Sequence, residues 1–531
     1  MNEIKTKTPM VATVGVIMVI SLAGKIMGIL RDRMQGVYFG TYSPEAIAFT
    51  QAVILPRVFL DVMFAAVFSA SFIPVFNRYL ETKGQQAAFE LAALFIKVIF
   101  LVTSVVTIFA ILFAGPLYGL LLDGEALAPG VRELGIRLLQ IMFPIMIISS
   151  LAFSLTGILQ SLGEFKIPAA MTIASNGIIL LYYFLFIDRF GVYGLAVAFL
   201  LGWCCQVLVQ VPFLVRIGFI RVAFLKATKS TDTKSTLKGD LREIGKLTLP
   251  VMVASWLGPI NYFVNFRASV NLYGGEHGVV AINMAHNLYM VIAGIFVLSL
   301  ANVLFPALSK FAALENWDEY TDYLRNNLRG LLFLLIPMTF GLMAVTQPLV
   351  RLIFQGGLFQ ATSVDITATA LFFYAIGMIG FGMQVILSRA CFALQDGKGP
   401  LVTAVFAIII NIILSFTLAP VMKIGGPALA SSIAISVAAA GLFIRLRHKL
   451  LLRPIWIRGM TIDLIKMLVL AVIMYGIVSA GYDFISQNLY NRILSLVIPV
   501  GLGAGFYMIG SLIFKVPEAK IAMSFLRSIG Q

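Results

Sequence analysis

Charge is scarce in this sequence. Only 12% of its 531 residues are charged and 60% are hydrophobic, and the mean hydropathy is +0.97. Soluble domains carry about 25% charged and about 45–50% apolar residues. A chain of this length built from several soluble domains needs far more polar surface, so that class is excluded. Cysteine is rare too. Cys204, Cys205 and Cys391 lie inside apolar runs, in no CxxC pair and no disulfide framework, and read as small packing residues. There are three histidines, His277, His286 and His448, and no HExxH, GxSxG or Walker loop. No enzyme, cofactor or metal site is therefore expected, nor transport driven by a nucleotide-binding loop in this chain.

Apolar runs are what the sequence has in abundance. About fourteen recur along the chain, each near the roughly 20 residues that cross a bilayer. Their limits are near 10–30, 46–76, 88–114, 134–160, 168–187, 192–215, 247–272, 279–306, 330–350, 366–390, 400–420, 426–444, 461–482 and 492–514. The runs are too long for barrel strands and alternate weakly, so helices are the expected spanning elements. The first run continues through Lys25 to Arg31 without a small-residue cleavage site, and is expected to stay as the first span. The longest polar stretch, Ile217 to Lys246, contains ATKSTDTKSTLKGD and follows the sixth span. Its composition is that of a flexible linker. These features predict an all-α polytopic membrane protein of about fourteen helices. Residues 1–216 form an N-terminal lobe of six spans, 217–246 a cytoplasmic linker, 247–450 a second lobe of six, and 451–531 two further spans and a tail. Repeated lobes joined in this way are common in transporters.

The net charge of +15, from 39 Lys and Arg against 24 Asp and Glu, suggests nucleic acid in a soluble protein. In a membrane protein basic residues collect in cytoplasmic loops. With the N-terminus inside, 26 of the 39 fall on inside segments, 8 on outside segments and 5 within spans. Both termini are therefore expected in the cytoplasm, and nucleic acid is not expected as a partner.

The charges within spans bear on function, because each is costly in lipid and needs a cavity, a partner or the interface. The first span and the segment after it read LAGKIMGILRDRMQGVYFG. Lys25 and Arg31 are six positions apart, so their helix faces differ by roughly 120°. Gly24 and Gly28 allow the helix to bend or a neighbour to approach. Arg31 and Asp32 either line the mouth of a cavity or, for Arg31, snorkel to water. In the second span, Pro56 interrupts the helix in LPRVFLD; Arg57 and Asp61 share a face, as an internal ion pair or a cationic cavity wall. The seventh span reads PINYFVNFRASVN, where Arg267 stands among Asn261, Asn265 and Asn271, a polar stripe unsuited to lipid. Lys97, two turns from Glu90, reads as snorkelling or paired, and Lys466, near Asp463, as an interface anchor. His286 reads as a packed neutral side chain, with a proton relay as the alternative. A cavity lined by Lys25, Arg31, Arg57 and Arg267 suits an anionic substrate, with phosphate or pyrophosphate best matched to arginine.

Several stretches resemble the MurJ (MviN) family of lipid II flippases, within the superfamily of multidrug and oligosaccharidyl-lipid exporters. They are GKIMGILRD with YFG, FSASFIPVF, LLQIMFPIMIISSLAFSLTGILQSLGEFKIPA, QVLVQVPFL, LFPALSKFAALENWDEY, LVRLIFQGGLF and ALQDGKGP. Their order and spacing cover most of residues 20–450. The resemblance implies fourteen helices, with two six-helix lobes around a central cavity and a groove for the lipid tail formed by the last two. It implies flipping of undecaprenyl-pyrophosphate-linked peptidoglycan precursor, lipid II, from the inner to the outer leaflet of the bacterial cytoplasmic membrane by alternating access. Membrane lipids are the other expected partners, a monovalent cation is an open candidate for coupling, and a monomer is expected. Carried over by position are Arg31 and Asp32, with Lys25 where the family usually has arginine. Ile47 stands where many members are acidic, Leu60 where they have arginine, and His286-Asn287 where they have Asp-Arg. Arg57 and Arg267 are the candidates to replace two of those charges. These departures keep open a flippase for another polyprenyl-linked oligosaccharide. A cation-coupled drug exporter needs carboxylates in its cavity, and the embedded charges here are mostly basic.

Overall fold

The structure, a computed structural model, describes residues 10–56, 72–121, 130–225, 260–270, 278–450, 454–488, 491–520 and 523. It is helical throughout; among the described residues the only extended pairing is an isolated bridge between Gly356 and Phe359. Helices satisfy every backbone N–H and C=O within the segment, which an apolar surrounding demands.

The chain divides into two compact units, Met1–Phe263 and Val264–Gln531. The first contains α1 (Met10–Phe39), α2 (Pro44–Pro56), α3 (Ile73–Thr82), α4 (Gly84–Leu112), α5 (Ala114–Leu121), α6 (Val131–Met142), α7 (Ile145–Ser161), α8 (Lys166–Leu185), α9 (Ile187–Arg216) and α10 (Phe219–Leu225). Here α8 packs between α1 and α9, and α7 packs on both α4 and α9. Pro144 falls in the break between α6 and α7, where its missing N–H leaves no helical bond unmade. Of the expected linker, the described part is largely α10, docked on α4 with the buried Phe219 ring edge-on to Phe89 at 5.4 Å. Residues 226–246 lie outside the described residues.

The second unit contains α11 (260–270, its first turn before the dividing point), α12 (Gly278–Ala313), α13 (Trp317–Phe354), α14 (Ala361–Ile376), α15 (Met378–Ala393), α16 (Lys398–Met422), α17 (Gly425–Lys449), α18 (Pro454–Asn488) and α19 (Arg492–Ile513). Its apolar core joins α13, α18 and α19 through Leu332, Ile336, Leu470, Met474 and Leu496, and takes in Val516 and Ala519 beyond the last helix.

Among the described residues, ten helices are long and apolar enough to cross a membrane, and eleven if α14 and α15, bent by 44°, count as one span. These eleven match the third to sixth and eighth to fourteenth expected spans. The first expected span lies in α1; the second and seventh run across residues outside the described ones.

One turn recurs at four helix ends. After α7, α12, α15 and α19, residues Gly163, Glu315, Gln395 and Lys515 adopt φ of +80°, +53°, +55° and +53°. In each, the following N–H reaches back five positions: Glu164 to the Leu159 carbonyl (2.9 Å), Asn316 to Phe311 (3.0 Å), Asp396 to Cys391 (2.9 Å) and Val516 to Ser511 (2.8 Å). This is the Schellman closure. In the first three, that same residue then caps the next helix with its side chain. Glu164 accepts from the Lys166 and Ile167 N–H groups, Asn316 from Glu319, and Asp396 from Gly399.

Candidate functional site

The first unit gathers its polar groups around Arg31, near the end of α1. Its guanidinium donates from Nε (3.1 Å) and Nη2 (2.8 Å) to Asp32 Oδ1, and from Nη1 to Asn176 Oδ1 (3.1 Å). It also lies 5.4 Å from the centre of the Phe199 ring. The Arg31 and Asp32 side chains are 16% and 11% exposed. Asn176, on α8, donates in turn to the Gly24 carbonyl (3.1 Å). It gets that close because α1 lacks side chains there. A Cβ on Gly24 meets the Thr172 side chain at 3.1 Å, and one on Gly28 comes 3.6 Å from the Asn176 amide. The glycines thus serve the approach of a neighbour. One α8 side chain, held by α1 backbone, fixes the arginine.

Arg31, Asn176 and Phe199 open onto a cavity of about 530 Å³ within this unit, inside the usual range of ligand sites. It extends along α7, α8 and α9 past Phe153, Thr156 and Trp203 to Gln160, Phe165 and Gln206. Lys25, half-buried on the same helix, is not part of this lining, and no described residue pairs with it. Arg57 and Asp61 lie outside the described residues. Lys97 is exposed, and Glu90 is bonded by Gln86 (3.4 Å) rather than by Lys97.

Asn265 and Arg267 belong to the second unit. Asn265 is buried and accepts from Asn411 Nδ2 (2.9 Å) and the Ser415 hydroxyl (3.2 Å), which also lies 3.2 Å from Asn411 Oδ1. The result is an uncharged cluster between α11 and α16. Arg267 is half-buried. His286 packs edge-on to Tyr374 at 5.5 Å, within an aromatic group that includes Tyr289.

Charge in the second unit sits elsewhere. Arg329, on α13, donates to Glu518 beyond α19 and, through Nη2, to Asp463 on α18 at 2.5 Å. Lys466 adds a contact to Asp463 at 3.3 Å. In the turn before α16, buried Asp396 accepts from Arg445 Nε (2.6 Å) and Nη2 (3.0 Å) at the end of α17, with Lys449 at 3.8 Å. The Arg445 bonds, helped by the Gly399 N–H, hold the Asp396 carboxyl below its ordinary range.

Of the six residues expected to bind substrate, Arg31 and Asp32 come together at a cavity. Lys25 stands apart on the same helix, Asn265 and Arg267 lie in the other unit, and Arg57 is outside the described residues. Sequence reasoning passed over Asn176, the one asparagine in the 168–187 run, and the cavity residues Trp203 and Gln206. An amide in a long apolar run was the available signal.

The sequence model of the family described as Lipid II flippase MurJ matches residues 36–501. A probable lipid II flippase MurJ from Treponema pallidum is 26% identical over 439 residues, covering 81% of this chain and 80% of the relative. A solved lipid II flippase MurJ in an inward closed conformation superposes with a TM-score of 0.76 at 22% identity, covering 94% of this chain and 98% of that one. An inward-facing multidrug resistance MATE transporter of the MOP superfamily gives 0.67 at 16% identity, over 82% and 98%.

Proposed function

The chain belongs to the lipid II flippase MurJ family, and on that premise we propose that it moves lipid II from the inner to the outer leaflet of the bacterial cytoplasmic membrane by alternating access. It is a multi-pass membrane transporter, not an enzyme, and both its termini lie in the cytoplasm. The observation that carries this reading is Arg31, an arginine held at a cavity wall by Asp32 and Asn176. Three of its five N–H donors are used, which leaves two for a phosphate oxygen. Asp32 keeps the guanidinium oriented. Lys25, Arg57 and Arg267 are the other basic candidates for the pyrophosphate. Asn265 acts indirectly, by fixing the helix that carries Arg267.

Depletion of the protein in its host, with the leaflet position of lipid II measured afterwards, tests the reading. Lipid II is expected to accumulate in the inner leaflet. Continued outward movement, in a host with no second flippase, overturns it. Ile47, Leu60 and His286-Asn287, which depart from the family's charges, favour one second reading: the cargo is another polyprenyl-linked oligosaccharide. In that case the glycan lipid retained in the inner leaflet differs from lipid II.

A further inference from the structure

The cavity of the first unit has two chemically different ends. At one end stands Arg31, the only charged residue in its lining among the described residues. Toward the other, α9 presents Phe199, Trp203 and Gln206 at helical spacing, a stripe spanning roughly 10 Å along the cavity. The Trp203 ring meets Phe153 edge-on at 6.0 Å and forms part of the wall. Thr156 and Gln160 approach from α7. The Thr156 hydroxyl is already engaged, 3.3 Å from Gln210 Oε1. The side-chain amides of Gln160 and Gln206 are different: both residues are half-buried, and neither amide bonds to a described residue.

Half-buried amides on a cavity wall hydrogen-bond to whatever fills the cavity. Two such amides beside an indole, in a stretch of lining with no charged described residue, define a kind of ligand. A polyprenyl tail leaves both amides unsatisfied. A pyrophosphate or peptide carboxylate meets no charged side chain in the described lining at this end. A pyranose ring satisfies the whole set: its C–H face lies on the indole, and its hydroxyl or acetamido groups bond to the glutamines.

We propose that the end of the cavity formed by Trp203, Gln160 and Gln206 is a sugar subsite, which receives the glycan while Arg31 takes the phosphate. The proposal rests on the flippase reading and adds an orientation to it: phosphate toward Asn176, sugar toward the α7–α8 turn. Trp203 and Gln206 are then residues that make the protein select a glycosylated lipid over its bare carrier.

The test uses the full chain in nanodiscs and two probes, lipid II and sugar-free undecaprenyl pyrophosphate. Wild type is expected to bind lipid II at least about tenfold more tightly. Trp203→Ala, and separately Gln206→Leu, are expected to weaken lipid II about tenfold and leave undecaprenyl pyrophosphate within about twofold. Trp203→Phe, which keeps an aromatic face and guards against misfolding, is expected to retain most of the lipid II affinity. Equal weakening of both probes, or of neither, overturns the subsite. So does a wild type that binds the two probes alike, although the flippase reading then stands. A wild type that binds neither probe overturns both.

Discussion

The two units use buried charge in opposite ways. In the first, the charged pair is Arg31 with its sequence neighbour Asp32. Arg31 also reaches Asn176 on α8, and it faces a cavity. In the second, Arg329 is bonded to residues 134 and 189 positions away, and Arg445 reaches Asp396 over 49. These pairs fasten helices and the segment after α19 to one another. A buried polar cluster of the second unit, Asn265 with Asn411 and Ser415, carries no charge. The difference lies in what the charge faces: Arg31 opens onto a cavity, whereas Arg329 and Arg445 close on carboxylates from distant segments.

The turns make the same contrast on one backbone. Glu164 and Asp396 occupy equivalent places in identical closures. Glu164 caps only the helix that follows it, whereas Asp396 also binds the end of α17. The backbone geometry is the same and the side-chain partners differ.

Four measurements break or sharpen the comparison. The largest effect is expected for Arg329→Met, which leaves Asp463 and Glu518 without their cation; thermal or denaturant unfolding of the purified protein should show a loss of about 3–5 kcal/mol. If stability is unchanged, the second unit does not depend on its long-range pairs. Next is Arg31→Lys, which keeps the charge but loses the fork. Lipid flipping in proteoliposomes should fall about tenfold while the melting midpoint stays put. A large drop in the midpoint instead makes this pair structural too, and the contrast between units dissolves. Asn411→Ala should cost about 1–3 kcal/mol of stability in the same unfolding measurement, because Asn265 is left without its amide donor.

The smallest effect is at Asp396. Its carboxyl titrates lower in the folded chain than in the unfolded one, so its contribution is present above the ordinary carboxylate range and is lost as pH falls through the lowered folded value. Arg445 and Lys449 are nearly half exposed, which limits the contribution to about 1 kcal/mol or less. Asp396→Asn should therefore lower the melting midpoint slightly near neutral pH, and the difference should shrink below about pH 4. A difference that grows on acidification contradicts the assignment.

The apolar runs made the helices legible, since segments that bury their backbone polar groups internally announce themselves by length. Arg31 and Asp32 were legible as well, because a charge in such a run has few places to go. The partners were not. Asn176 is one amide in an apolar stretch, and its meeting with Arg31, 145 positions away, depends on two glycines whose meaning is clear only once α8 is beside them. Arg329 read as one more basic residue setting orientation, because its carboxylates come from α18 and from beyond α19. Glu90 and Lys97 show the converse: a plausible spacing on one helix face, with Glu90 bonded to Gln86.

The four recurring turns bear on how such a chain is made. Each closes its helix with hydrogen bonds no more than five residues long, so the end is satisfied before any other helix has arrived. Three of them also cap the start of the next helix. A ribosome feeding this chain to an insertion channel therefore delivers hairpins that are finished at the bend. The backbone closure of each bend needs no help from segments not yet synthesised; Asp396 alone of the three capping side chains then gains partners from a later helix, Arg445 and Lys449.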